Sequence, residues 1–145
     1  MKREETIDYN IKATWHAIYR MYNQQAIKNN ITTSIGFVLL NIDSEKGTPA
    51  TKIAPLLGLE IRSLTRMLKN LEEKGLIYKE PDAHDKRSVR IFLTAEGKIK
   101  KEISRKTVIT FNKAVKENIS SEKLKVFFEV LHNINKLLDE KKIFI

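Results

Sequence analysis

Residues 50–98 read ATKIAPLLGLEIRSLTRMLKNLEEKGLIYKEPDAHDKRSVRIFLTAEGK, and two periods meet inside them. From about Glu60 to Lys74 the residues Leu64, Leu68 and Leu71 recur at steps of four and three, the repeat of one helix face, with Ile61 and Met67 at its flanks. After Gly75 the repeat shortens. Leu76-Ile77-Tyr78-Lys79 is a β-rich run, and in Ser88–Leu93 the residues Val89, Ile91 and Leu93 alternate with Arg90 and Phe92. The polar turn PDAHDKR, opened by a proline, joins the two runs and predicts a hairpin directly after the helix. Upstream, Thr48-Pro49 predicts a helix start, because a threonine hydroxyl can accept from an orphan N–H and proline suits the first helical position. Ile53, Leu56 and Leu57 are expected to face inward, Pro55 to end or strain that helix early, and Gly58 to stop it in the left-handed region. Helix, tight glycine turn, helix and hairpin together predict a winged helix-turn-helix.

Outside this stretch the pattern is helical. From about Thr6 to Asn29, Ile7, Ile11, Ile18 and Tyr22, with Trp15, keep to one helix face. Thr32 or Thr33 caps a second helix, so apolar over Ile35–Ile42 that burial on most sides follows. Thr94 caps a fifth helix running to about Asn118, and Ser120 a last one with Leu124, Phe127, Phe128, Leu131, Ile134, Leu137 and Leu138 at three- and four-residue steps. The expected fold class is mainly α with a small β-hairpin wing: a winged helix-turn-helix over 31–98, flanked by long dimerisation helices over 1–30 and 99–145, in a single compact domain.

A chain of 145 residues, 41% hydrophobic, can bury a core without staples. It holds no cysteine, which excludes disulfides, thiolate zinc sites and thiol chemistry. Its three histidines are scattered and indicate no metal site. The charged opening MKREETIDYNIK is no secretory signal, and no apolar run is long enough for a membrane. A cytoplasmic, nucleoid-associated protein with no membrane partner is expected. The net charge of +9 is uneven: residues 50–106 carry fourteen Lys and Arg against eight Asp and Glu, whereas the flanks are nearly balanced. A local basic excess suits a polyanion-binding surface, although charge alone does not separate that from a merely solvated one.

The fourth helix sharpens the choice. With its leucines inward, Arg62, Ser63, Thr65, Arg66, Lys69 and Asn70 must point elsewhere, and Arg62 and Arg66 share a face. Arginine reads guanine bidentately in a major groove, asparagine pairs with adenine, and hydroxyls reach phosphates or bases. A solvated helix face fits the same residues, so the helix alone decides nothing. The hairpin adds Asp85, Lys86 and Arg87 at its tip, where an arginine can enter a narrow minor groove and a nearby carboxylate can hold its guanidinium. Lys98, at the start of the fifth helix, suits a phosphate.

The same stretch resembles the DNA-binding core of the MarR family (multiple antibiotic resistance regulators), most specifically in LTRMLKNLEEKGLI, DKR and IFLTAEG. The resemblance implies that the fourth helix is the recognition helix, that Arg87 is the minor-groove residue of the wing, and that Asp85 orients it. It implies a homodimer on double-stranded DNA, with the first, fifth and sixth helices as interface; Ile7, Ile11, Leu124, Phe127, Phe128, Leu131, Ile134 and Leu138 are the residues expected there. Members often bind small aromatic or anionic effectors between the dimerisation and DNA-binding parts. Here Trp15, Tyr19, Arg20, Tyr22 and Phe37 are the candidate lining, although aromatics at helical spacing more often pack a core or an interface. Arg62, where a small or hydroxyl residue is frequent, and Pro55 depart from the common pattern.

The expectation is therefore a sequence-specific regulator, a ligand-responsive repressor on an inverted-repeat operator, with no cofactor beyond a small effector. The alternatives are a winged-helix module for protein or RNA, and a constitutive DNA binder. No phosphate loop, nucleophile elbow or paired-carboxylate site points to an enzyme.

Overall fold

The computed structural model describes residues 1–144. One turn of 3-10 helix, Arg3–Glu5, leads into α1 (Ile7–Ile27) and α2 (Thr33–Leu40). A two-residue strand β1 (Thr48–Pro49) precedes α3 (Ala50–Leu57) and α4 (Ile61–Glu73). The hairpin β2 (Ile77–Pro81) and β3 (Val89–Leu93) follows, then α5 (Ala95–Asn118) and α6 (Ser121–Asp139). The architecture is mainly α-helical with a small hairpin wing, a winged helix-turn-helix flanked by long helices. Two compact units are distinguished, residues 1–107 and the remainder.

In the first unit the nearly all-apolar α2 lies at the centre of the core. Val38 and Leu39 are fully buried, together with Ile53 of α3, Leu71 of α4 and Ile77 and Ile91 of the hairpin. Thr32 caps α2 by accepting from the Ile35 N–H at 3.2 Å. Both helices of the helix-turn-helix end alike. At α3 the Leu59 N–H reaches the Ala54 carbonyl (3.1 Å) and the Gly58 N–H that of Pro55 (3.3 Å); at α4 the Leu76 N–H reaches Leu71 and the Gly75 N–H reaches Glu72, each at 3.0 Å. This pairing requires a left-handed residue, and Gly58 supplies it at φ 64°.

Three expectations for this region fail. Thr48-Pro49 does not open α3. Thr48 pairs with Ile91 and Pro49 with Arg90, so β1 is a third strand in the sheet order β1-β3-β2, and the Thr48 hydroxyl accepts from the Asp43 N–H at 2.9 Å. Pro49 stands at the N-cap with no side-chain bond, and α3 begins at Ala50. Pro55 does not end α3, which continues through Leu57 to the glycine stop; Ile53 and Ala54, both buried, anchor the turn that contains it. Leu56 does not face inward but stays 65% exposed, because Ala54 takes the core position on the other side of Ile53.

Thr94 fixes the join between hairpin and α5. Its hydroxyl donates to the Gly75 carbonyl (2.6 Å) and accepts from the Gly97 N–H (3.0 Å). Gly97 is there because a Cβ at that point would collide with the Leu76 carbonyl oxygen. In the second unit Ser120 caps α6 by accepting from the Lys123 N–H at 3.3 Å. No residue of α6 is buried: Leu124, Leu131 and Ile134 are half-buried, and Phe127, Phe128 and Leu138 are exposed. Among the described residues no helix is long and apolar enough to cross a membrane.

Candidate nucleic-acid interface

Burial of Leu64, Leu68 and Leu71 fixes the rotation of α4, and everything the helix presents outward follows from it. Arg62, Ser63, Thr65, Arg66, Lys69 and Asn70 are all exposed. At about 100° per residue, Arg62, Arg66 and Lys69 form a ridge opposite the leucines, with Ser63 and Asn70 along one side of it and Ile61 and Thr65 along the other. None of the three cations of the ridge makes an ion pair among the described residues. The hydroxyl of Thr65 is occupied: it donates to the Ile61 carbonyl at 2.8 Å, and in this state has no proton for a phosphate.

The wing has a fixed root and an open tip. The pairs run from Ile77↔Leu93 to Pro81↔Val89, and Tyr78 stacks on Phe92 across the strands at 5.2 Å. Beyond Pro81 the Asp82 N–H bonds the Ser88 carbonyl (3.1 Å) and the Ser88 N–H bonds that of Asp85 (3.0 Å). Asp85, Lys86 and Arg87 are exposed at the tip. The geometry differs from the expectation that Asp85 holds the Arg87 guanidinium. Asp85 Oδ1 accepts from the Arg87 backbone N–H at 2.9 Å, a local turn bond that a residue two positions away makes more readily than a reach around the side chain.

A carboxylate–guanidinium pair does exist, one turn inward, and the sequence reading passed over it. Asp82, 7% exposed, faces Arg90, with Oδ2 and Nη1 3.7 Å apart, while Asp82 Oδ1 accepts from the His84 N–H at 3.0 Å. Arg90 Nε donates to the Lys46 carbonyl at 2.7 Å. Lys46 belongs to a turn organised by Asp43, whose Oδ1 accepts from the N–H groups of Lys46 (2.7 Å) and Glu45 (2.9 Å). Those bonds hold the Asp43 carboxyl below its ordinary value. The wing root is thereby tied to the segment joining α2 and β1. The only signal in the sequence was a basic residue on the solvent side of a strand.

The basic residues of 50–106 fall into two groups. Lys100 Nζ donates to the Asn29 carbonyl (2.7 Å) and Lys101 Nζ to that of Ile42 (2.6 Å); Lys79 pairs with Glu72, and Arg105 with Glu102. With Arg90, at least five cations of residues 50–106 are committed within the chain. Lys98 is exposed, and its side chain makes no hydrogen bond or ion pair among the described residues.

The aromatic residues do assemble. Trp15 stacks on Phe37 (6.0 Å) and meets Tyr19 edge-on (5.9 Å), and Tyr22 meets Phe37 edge-on (5.9 Å). Tyr19 Oη and Ser34 Oγ lie 2.8 Å apart. Burial pushes the Tyr22 phenol above its ordinary value. Arg20 is exposed. Ile7 and Ile11 are exposed on α1.

A family model described as MarR family matches residues 31–89. The organic hydroperoxide resistance transcriptional regulator of Bacillus subtilis (strain 168) is 30% identical over 140 residues, 93% of this chain and 95% of that protein. The crystal structure of a MepR–DNA complex from S. aureus superimposes with a TM-score of 0.79 at 25% identity, over 93% of this chain and 98% of the other. That of the PcaV transcriptional regulator from Streptomyces coelicolor with its natural ligand gives 0.78 at 18% identity, over 94% and 96%.

Proposed function

This chain belongs to the MarR family of winged helix-turn-helix transcriptional regulators, and from that premise we propose that it is a ligand-responsive repressor that binds an inverted-repeat operator as a homodimer. As a family member it is a sequence-specific DNA-binding protein, not an enzyme. The observation that carries the reading is the outer face of α4: a cationic ridge with no ion pair among the described residues, beside a wing whose root is tied by Arg90 to the Lys46 carbonyl. A recognition helix enters the major groove with its N-terminal residues toward the bases. Arg66 and Arg62 then reach base edges, and Lys69, Asn70 and Ser63 lie along the same surface. Arg87, with Lys86, reaches into the adjacent minor groove from the tip of the wing, where groove width and A·T content are what an arginine senses. Asp85 shapes the tip through the Arg87 backbone. Lys98 contacts phosphate.

The homodimer forms through residues 1–30 and 99–145. Support comes from the apolar faces that α1 and α6 leave uncovered, including Phe127 and Phe128. The effector is a small aromatic or anionic molecule held near Trp15, Tyr19, Tyr22 and Phe37, with Arg20 as the nearest cation along α1. The complex of PcaV with its natural ligand supports a ligand-binding role. The B. subtilis relative is named for organic hydroperoxides, but a chain without cysteine has no thiol for a peroxide to oxidise. The response we propose is therefore reversible binding.

Selection of bound sequences from random duplexes is the test. The expected result is a two-fold symmetric motif with half-site centres about 10 bp apart. Recovery of no motif, or of a single asymmetric short site, overturns the reading.

A further inference from the structure

On the reading that α4 enters the major groove, we infer that Ile61 and Thr65 form an apolar edge that reads the C5-methyl of thymine beside the bases contacted by the arginines. Ile61 is the first residue of α4 and is 74% exposed, the most exposed large apolar side chain of the helix-turn-helix. Helix geometry places it about 60° from the middle of the leucine stripe, where cover by the core is expected. It stands in the first turn of the helix and lacks that cover. That turn is the part of a recognition helix that approaches base edges.

Thr65 lies one turn on, on the same side of the helix. Its hydroxyl donates to the Ile61 carbonyl at 2.8 Å, which leaves its γ-methyl as the group without a bonding role. The arginine ridge thus has two unlike margins: Ser63 and Asn70, which can hydrogen-bond, and Ile61 and Thr65, which offer hydrocarbon. In the major groove the thymine methyl is the one apolar group that a base pair displays. An isoleucine brought to the floor of the groove by the charges of Arg62 and Arg66 either covers such a methyl or dehydrates a polar edge without compensation. The margin therefore selects a T·A pair flanking the position read by arginine.

Deoxyuridine differs from thymidine only by that methyl, which makes it the probe. Each thymine of the selected half-site is replaced singly by uracil, and binding to the full-length protein is measured for wild type, Ile61→Ala and Thr65→Ser. At one or two positions the replacement is expected to weaken wild type about fourfold, the burial of a single methyl group. Ile61→Ala is expected to bind the thymine and uracil duplexes equally at its position, and Thr65→Ser to do the same at a neighbouring one. Both variants are expected to melt with wild type, since the changed groups are exposed. Arg66→Ala is expected to keep the thymine preference while losing affinity. A wild type indifferent to uracil at every position, or an Ile61→Ala protein that keeps the full difference, overturns this inference and leaves the DNA-binding reading intact. Failure of wild type to recover any motif removes that reading, and this one with it.

Discussion

α4 and α6 carry apolar stripes of the same kind and meet different fates. On α4 the leucines at positions 64, 68 and 71 are buried by the chain itself, against α2, α3 and the hairpin. On α6 a longer stripe, with two adjacent phenylalanines, buries nothing completely. Yet both helices begin and end regularly, and both carry charge on the opposite side. The difference lies in where the cover comes from. A stripe covered within the chain fixes the rotation of its helix, so the outer face of α4 is defined before any DNA arrives. A stripe left open does not fix its helix in this way, and a large uncovered apolar face on an otherwise charged chain is the kind of surface that the proposed two-fold interface would use.

The largest effect should come from breaking α6. Removal of residues 120–145, or the double change Phe128→Glu with Leu131→Glu, is expected to yield monomeric or aggregated protein. Its affinity for a full inverted repeat should fall by two orders of magnitude or more, on the order of what tethering two half-site contacts contributes. Sedimentation with operator titration reads both, and a truncated protein that still sediments as a dimer sinks the assignment of α6.

Next in size is the buried counterpart. Leu68→Ala should cost ~2–5 kcal/mol of folding stability, as large-to-small changes in a core do. That loss should be independent of protein concentration, whereas the destabilisation from Leu131→Ala should grow on dilution. Denaturation at two concentrations separates the two helices. Equal concentration dependence for both variants would collapse the distinction.

Smaller again are changes to the outer face of α4, which should leave melting unaltered and act on DNA alone. Arg66→Ala is expected to cost ~1–3 kcal/mol on the specific site and to relax preference at one position. Arg87→Ala should weaken sites with A·T-rich flanks most. Lys98→Ala should weaken all sequences evenly and lower the salt slope by about 1. Isotherms on specific and scrambled duplexes at several salt concentrations distinguish the three. Arg90→Ala should follow Arg87→Ala in direction at ~0.5–1.5 kcal/mol, the worth of an ordinary hydrogen bond, because it releases the wing root and not the tip. If Arg90→Ala instead leaves the A·T preference untouched, the root does not position the tip.

The smallest expected effect is a pH dependence at Asp43. Its carboxyl sits below the ordinary value of 3.8 because the backbone N–H groups of Lys46 and Glu45 bond its charged form. A depressed carboxyl stabilises the folded state above the unfolded value and ceases to do so as pH falls through the lowered one. Asp43→Ala should therefore melt slightly below wild type at neutral pH, and the gap should narrow in acid below about the ordinary carboxylate value. A gap that stays constant down to pH 2 would show that the turn does not depend on the charge.

The contrast between the two helices also marks what could be read from the sequence. Local signals were legible: the leucine stripe of α4, the caps Thr32, Thr94 and Ser120, and the glycine stop at Gly58. Each rests on neighbours no more than five residues apart along the chain, the second bond of the Thr94 hydroxyl, to the Gly75 carbonyl, excepted. What was missed depends on partners far along the chain. Thr48 pairs with Ile91, Arg90 bonds the carbonyl of Lys46, and Lys101 that of Ile42. In the sequence Arg90 and Lys101 look the same as the exposed Arg66 and Lys98. Leu56 erred in the other direction, since periodicity cannot say that the alanine two positions earlier fills the core place. Among the site residues, the outward face of α4 was predicted as a set, whereas the bond from Thr65 to Ile61 is a rotamer choice that composition does not carry.

Gly97 gives the join of hairpin and α5 a mechanical meaning. With the first turn of α5 in contact with the Leu76 carbonyl, and Thr94 bonded to both sides of the seam, the two elements have no clearance between them. A stiff coupling without backlash passes a small tilt at one end directly to the other. Shortening Thr94 would remove both bonds of its hydroxyl across the joint, and a side chain at position 97 would drive α5 off the Leu76 carbonyl.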